Sequence, residues 1–133
     1  TFDAAAEDAV VARLGALQAD FLLVSEELGE RAYGTGGPAR VVVDPIDGSV
    51  NAKRGIPFFA LSLAVAEGPT MDDVVFGFVH DFGSGEEWVA ERGGGALLDG
   101  HPLQSWQLRC IDELEEVAEL AWLVVAPGSR GPA

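Results

Sequence analysis

The sequence predicts an α+β domain, an antiparallel sheet flanked by helices. Three observations carry that prediction. Short segments of alternating character follow one another between residues 56 and 98, joined by short connections. Short connections between successive strands demand antiparallel pairing. Ahead of them, Ala6, Val10, Leu14 and Leu17 recur at three- and four-residue spacing. Behind them, Ile111, Leu114, Val117, Ala118, Ala121 and Val125 do the same. That spacing is the mark of an amphipathic helix.

The elements follow in order. A helix is expected over residues 2–18, with Asp3, Glu7 and Asp8 in its first turns, where the helix dipole favours acid. Phe21-Leu22-Leu23-Val24 is a short apolar strand ending at Ser25-Glu26-Glu27. Residues 29–40, rich in glycine and holding Pro38, read as a loop. Val41-Val42-Val43 reads as a buried strand that Pro45 ends, because proline fixes its own φ and donates no ladder bond. Residues 56–66 predict a strand with a bulky face of Phe59, Leu61, Leu63 and Val65 and a close-packing face of Ala60, Ser62, Ala64 and Ala66.

Residues 74–81 alternate similarly, Phe82-Gly83-Ser84-Gly85 makes a turn, and residues 87–91 return as a strand. Gly93-Gly94-Gly95 marks a bulge or tight backbone packing in a hairpin, without the Gly-Lys-Ser/Thr of a nucleotide cradle. Residues 96–98 run into Asp99-Gly100, a hairpin signal. Residues 1–103 therefore read as one domain, and residues 104–133 as a helix and tail. Trp88, Trp106 and Trp122 read as core or interface anchors.

Composition narrows the function. The 133 residues suffice for one domain with a real core. A hydrophobic share of 48% excludes disorder. The net charge of −14, from 22 acidic and 8 basic residues, argues against nucleic acid or an anionic membrane as partner, since phosphate backbones are bound by Lys and Arg. The single cysteine, Cys110, excludes an internal disulfide, so a reducing, cytoplasmic setting is expected. No apolar stretch approaches a membrane span.

The chemistry concentrates in Asp44-Pro45-Ile46-Asp47-Gly48-Ser49. The strand before it delivers both carboxylates to its C-terminal end, and Gly48 lets the backbone turn or approach a ligand. Convergent carboxylates beside backbone N–H groups suit a hard divalent cation and the phosphate it holds. Taken alone, the segment also reads as a plain turn, since all its polar residue types favour turns. Glu26 ends the neighbouring strand, so three carboxylates would meet at one sheet edge. Asp44 would bridge two ions, the N–H groups of Gly48 and Ser49 would face the phosphate, and Glu26 with the Ser49 hydroxyl would orient and deprotonate a metal-bound water. An EF-hand is excluded by its ligand spacing. An aspartyl-phosphate phosphatase needs its aspartates two apart, not three.

Val24-Ser25-Glu26-Glu27, then Asp44-Pro45-Ile46-Asp47-Gly48-Ser49-Val50-Asn51, Gly55-Ile56-Pro57-Phe58, Arg92-Gly93-Gly94-Gly95-Ala96 and Asp99-Gly100 together resemble the inositol monophosphatase family of magnesium-dependent sugar phosphatases. Order and spacing match over residues 1–103, and Gly-Ile-Pro-Phe-Phe-Ala-Leu-Ser is most similar to prokaryotic members, some of which also hydrolyse fructose 1,6-bisphosphate. The resemblance implies the N-terminal half of an α/β/α/β/α sandwich. It implies two or three Mg2+ ions per site, held by Glu26, Asp44, the Ile46 carbonyl and Asp47, with Asp3 linked to a weaker third ion. It assigns catalysis to Glu26, Asp47 and Ser49 and phosphate binding to Gly48 and Ser49. Water would attack phosphorus directly, on a small phosphorylated sugar or inositol, in an enzyme that is a homodimer when intact.

One departure stands out. The family's later Asp, in a segment like Trp-Asp-x-Ala-Ala-Gly, has no counterpart here. After Asp99 the only acids are Asp112, Glu113, Glu115, Glu116 and Glu119. The expectation is thus a truncated phosphatase. The alternative is a non-catalytic metal-binding or interaction module that kept the fold. His80, His101 and Cys110 lack partner motifs and read as structural, while Lys53 and Arg54 read as a solvated pair or as a steering charge for an anionic substrate.

Overall fold

The computed structural model describes residues 2–103. Helix α1 (Phe2–Gly15) is followed by strands β1 (Phe21–Ser25), β2 (Gly29–Tyr33) and β3 (Arg40–Asp47), a short helix α2 (Ser49–Lys53), and strand β4 (Ala60–Ala66). A 3-10 turn (Met71–Asp73) leads to β5 (Val74–Asp81), β6 (Glu87–Glu91), β7 (Gly95–Leu98) and β8 (His101–Pro102). The predicted last helix, with Cys110, Trp106 and Trp122, lies outside the described residues.

The strands form one sheet of eight in the order β2-β1-β3-β4-β5-β6-β7-β8. From β3 onward each strand pairs antiparallel with the next, as the short connections require. The pair β1/β3 is parallel, because β2 folds back on the outer side of β1 and residues 34–39 then return the chain to its inner side. The last turn, Asp99-Gly100, has φ of 49° and 78°, the left-handed pair that matches the twist of a two-residue hairpin.

The residues expected as a loop over 29–40 include β2. Its Glu30 and Arg31 are exposed, so the strand carries no apolar alternation to betray it. It sits at the sheet edge, where charged side chains discourage pairing with another chain. The predicted strand over 56–66 begins only at Ala60. Backbone and side-chain bonds from Asn51 hold Ile56 and Phe58 in a loop instead.

One face of the sheet carries the core. Phe21, Leu23, Val41 and Val43 are buried there, with Val10, Val11 and Leu14 of α1 above them and Leu63 and Val65 of β4 alongside. The bulky face of β4 is therefore the core face, as its alternation predicts. Leu17, expected on the apolar stripe of the helix, is 65% exposed. The helix stops at Gly15, and Gln18 takes a left-handed φ of 52°, so the chain turns away before Leu17 faces the sheet. Between β4 and β5, the Thr70 N–H and hydroxyl both donate to Asp73 Oδ2, at 2.9 and 2.7 Å, and these bonds hold the Asp73 carboxyl below its ordinary range. Among the described residues, no helix is long and apolar enough to cross a membrane.

Leu23 is the fully buried centre of this core. Leu23→Ala is expected to cost about 3 kcal/mol, the usual loss for a truncated core leucine, read as a lowered urea midpoint with an unchanged slope.

Candidate functional site

The acidic residues are brought together by how α1 lies on the sheet. Leu14, near the end of α1, packs on the core, and Gly15 sits against Tyr33, the β2 partner of Phe21 at the start of β1. Glu7, two turns earlier, is buried and accepts a hydrogen bond from the Ser25 hydroxyl at the end of β1. The helix thus runs antiparallel to β1, and its first turn, with Asp3, overhangs the C-terminal edge of the sheet. Because β1 and β3 are parallel with Ser25 level with Val43, Glu26 leaves the sheet level with Asp44.

Within β3 the ladder slips. Asp44 lies opposite Ser62 and Asp47 opposite Ala60, so three steps on β3 match two on β4. In a regular strand, residues three apart point to opposite faces. The extra residue cancels that half-turn, since Ser62 and Ala60 share a face and directly opposed residues project to the same side. The bulge therefore aims both carboxylates the same way. Pro45 did not end the strand as expected. It sits buried at the irregularity, a position where its missing N–H is tolerated. The Ile46 N–H donates to Asp44 Oδ1 at 3.2 Å, closing the turn on itself.

Gly48 follows with φ 86° and ψ 36° and caps α2. A Cβ there would stand 3.0 Å from the Phe58 carbonyl oxygen and 3.3 Å from Phe59 Cβ, so both conformation and space select glycine. Ser49 opens α2, whose leading N–H groups have no intrahelical acceptors. Asn51 clasps the loop: its Nδ2 donates to the Phe58 oxygen at 2.8 Å, and its own carbonyl accepts from Ile56 N–H at 2.9 Å. Phe59 stacks on Phe82 at 5.3 Å, and the Phe82 N–H donates to the Phe59 carbonyl.

Charge accumulates at this edge. The Asp44 carboxyl is held above its ordinary range, first by burial, then by the charge of Asp47, with Glu26 and Asp3 adding to it; the Ile46 N–H acts the other way. Asp3 Oδ2 pairs with Lys53 Nζ at 2.7 Å. Asp3 Oδ1 is buried and meets no hydrogen-bond partner among the described residues. Lys53, read from sequence as solvated or steering, is therefore bound to the acidic cluster.

Asp3, Glu26, Asp44 and Asp47 thus share one field, with the Ile46 backbone, Gly48 and Ser49 between or beside them. They are not drawn into contact. Among the described residues, no three carboxylate, histidine or cysteine side chains close around a common point as metal ligands would. The donors at this edge are hard oxygens, the type that suits magnesium, and their mutual repulsion is the kind a cation relieves. His80 is bound to Glu87, 3.2 Å away, and lies edge-on to Phe82, a structural setting as expected. Sequence reading missed the Glu7–Ser25 bond and the Asn51 clasp. The helical spacing of Glu7 next to Asp3 was the available signal for the first; nothing local announced the second.

This sheet, with its acidic edge and glycine-capped helix, is the fold of inositol monophosphatase-type proteins. The chain belongs to the inositol monophosphatase family, whose model matches residues 1–125. A fructose-1,6-bisphosphatase/inositol-1-monophosphatase of Methanothermobacter thermautotrophicus is 37% identical, over 83% of this chain and 42% of that protein. The Nus factor SuhB of Salmonella typhimurium is 34% identical, over 83% of this chain and 40% of that protein. The crystal structure of the extragenic suppressor protein suhB from Bartonella henselae superposes with a TM-score of 0.68 at 33% identity, covering 77% of this chain and 39% of that one. The chain spans about two fifths of the length of these relatives.

Two outcomes follow from the geometry. Because the folded Asp44 carboxyl holds its proton more tightly than the unfolded one, its ionised form costs stability at neutral pH, and that cost vanishes as pH falls through the raised folded value to the unfolded one. Asp44→Asn is therefore expected to raise the thermal midpoint in EDTA at neutral pH, with the difference closing in acid. Gly48→Ala should lower stability by about 1–2 kcal/mol, the cost of a left-handed non-glycine residue, in the same melting experiment.

Proposed function

We propose that this chain carries the metal-binding half of a Mg2+-dependent phosphomonoesterase acting on a small phosphorylated sugar or inositol. The observation that supports it most is the bulge in β3, which turns Asp44 and Asp47 to one side at the edge where Glu26 and Asp3 also bear on Asp44. The names of the relatives, several of them inositol or fructose phosphatases, point the same way.

In this reading Glu26, Asp44, the Ile46 carbonyl and Asp47 would hold two Mg2+ ions, and Asp3 would stand toward a third. Bound magnesium supplies Lewis acidity at the phosphoryl oxygens and acidifies water. The chain's own groups do the rest. Gly48 and Ser49 offer backbone N–H groups to the phosphate oxygens. Glu26 and the Ser49 hydroxyl would together orient the attacking water, whose proton would pass to the Glu26 carboxylate. Asp47 also contacts the substrate. Water displaces the sugar oxygen from phosphorus without a phosphoenzyme.

Residues 1–103 would form the metal-binding unit, and residues 104–133 a helix and tail. The single cysteine supports a cytoplasmic setting. Exposed Val50, Ile56, Phe58 and Phe82 leave apolar surface for a homodimer or for further chain. The kinship with a protein named a Nus factor supports a second reading, a module that keeps the fold for interaction rather than turnover.

The test is magnesium-dependent phosphate release from inositol 1-phosphate and fructose 1,6-bisphosphate, with Asp47→Asn as control. Release that drops roughly 10²-fold or more in the variant supports the phosphatase. In this chain alone, magnesium binding without turnover means that the half is not a working enzyme by itself; magnesium binding without turnover in the intact protein supports the module.

A further inference from the structure

Lys53 is out of place for a solvated residue. It ends α2, the helix that Gly48 caps, yet its ammonium lies 2.7 Å from Asp3 Oδ2 on α1, at the overhanging acidic edge. The two partners differ in freedom. The Lys53 side chain is 51% exposed, whereas Asp3 is only 16% exposed and has its other oxygen buried without a donor. Asp3 also lies close enough to Asp44 for its charge to be felt there. A compact ammonium on a flexible four-carbon stem reaches such a position and leaves it again without moving the backbone.

We propose that Lys53 is a built-in cation standing where an outermost magnesium ion would bind Asp3, so that ion and ammonium compete for the same carboxylate. This inference rests on the metal-site reading above. Magnesium takes its oxygens at about 2.0–2.1 Å, so an ion on Asp3 would stand within a few ångströms of an ammonium already on the same carboxylate. A divalent charge beside it would also repel it. That repulsion drives Lys53 toward solvent when Asp3 takes an ion, and the exposure of its side chain permits that. The inner positions, at Asp44 and Asp47, are untouched by this competition. Lys53 thus sets how many ions the site takes at a given magnesium concentration, and spares the chain an unpaired Asp3 charge when magnesium is scarce.

Calorimetric titration of the 133-residue chain with magnesium chloride tests this, with Lys53→Met, Lys53→Arg and Asp44→Asn run beside it. Lys53→Met is expected to tighten the weakest binding phase by up to about fivefold, the scale of a partly exposed ion pair, and to leave the tighter phase in place. Lys53→Arg keeps the charge and should follow the parent. A Lys53→Met isotherm that superimposes on the parent, while Asp44→Asn abolishes the tight phase, overturns the role of Lys53 and leaves the metal site standing. An Asp44→Asn isotherm that superimposes on the parent overturns the metal-site reading itself.

Discussion

One extra residue in the ladder between β3 and β4 governs the acidic edge. Up to Asp44 the pairing of β3 with β4 is regular, and α1 covers the core face. At that point the pairing slips, Pro45 fills the irregularity, and Asp47 comes round to the side of Asp44. Without the slip the two carboxylates would be separated by the thickness of the sheet, and no arrangement of Glu26 or Asp3 could serve both. The glycine cap on α2, the Asn51 clasp and the Phe59–Phe82 stack all hold the chain that leaves this bulge.

The edge is held together against its own charge. Burial and three neighbouring carboxylates disfavour the ionised form of Asp44, and against them stands one backbone hydrogen bond, from Ile46, while the Lys53 ammonium meets Asp3. The fold absorbs this because its stability lies elsewhere, in the packing of Phe21, Leu23, Val41 and Val43 beneath α1. Core and acidic edge are joined by β1 and β3, whose Phe21, Leu23, Val41 and Val43 pack beneath α1 and whose C-terminal ends lead to Glu26 and Asp44. Concentrated like charge of this kind is characteristic of functional sites rather than of scaffolding.

Much of this was legible in the chain itself. The alternation of β4 separated its bulky face from its small one, Asp99-Gly100 named its hairpin, and Asp-Pro-Ile-Asp-Gly-Ser marked the segment that carries Asp44 and Asp47. What escaped did so for physical reasons. β2 has no apolar face, so no periodicity marks it. The parallel pairing of β1 with β3 depends on where a loop of glycines carries the chain, which no local propensity encodes. Pro45 was read as a stop because proline ends regular strands, and a bulge is the exception that only pairing reveals. The Lys53–Asp3 contact joins residues fifty positions apart on two helices, and sequence gives no measure of that distance.

The clasp around Gly48 ties distant parts of the chain into one mechanical unit. Gly48 rests against the Phe58 carbonyl, Phe58 is gripped by Asn51, and the next residue, Phe59, is stacked on and hydrogen-bonded to Phe82 at the end of β5. The turn after β5 is itself braced by Asp81, whose carboxylate accepts from the Gly83 N–H. A hairpin more than thirty residues downstream is therefore the floor under the glycine turn. The two loops are not free to drift apart in evolution: a change of size at Phe82 asks for an answering change at Phe59 or in the clasp, and relatives that have re-cut one loop should be found to have re-cut the other.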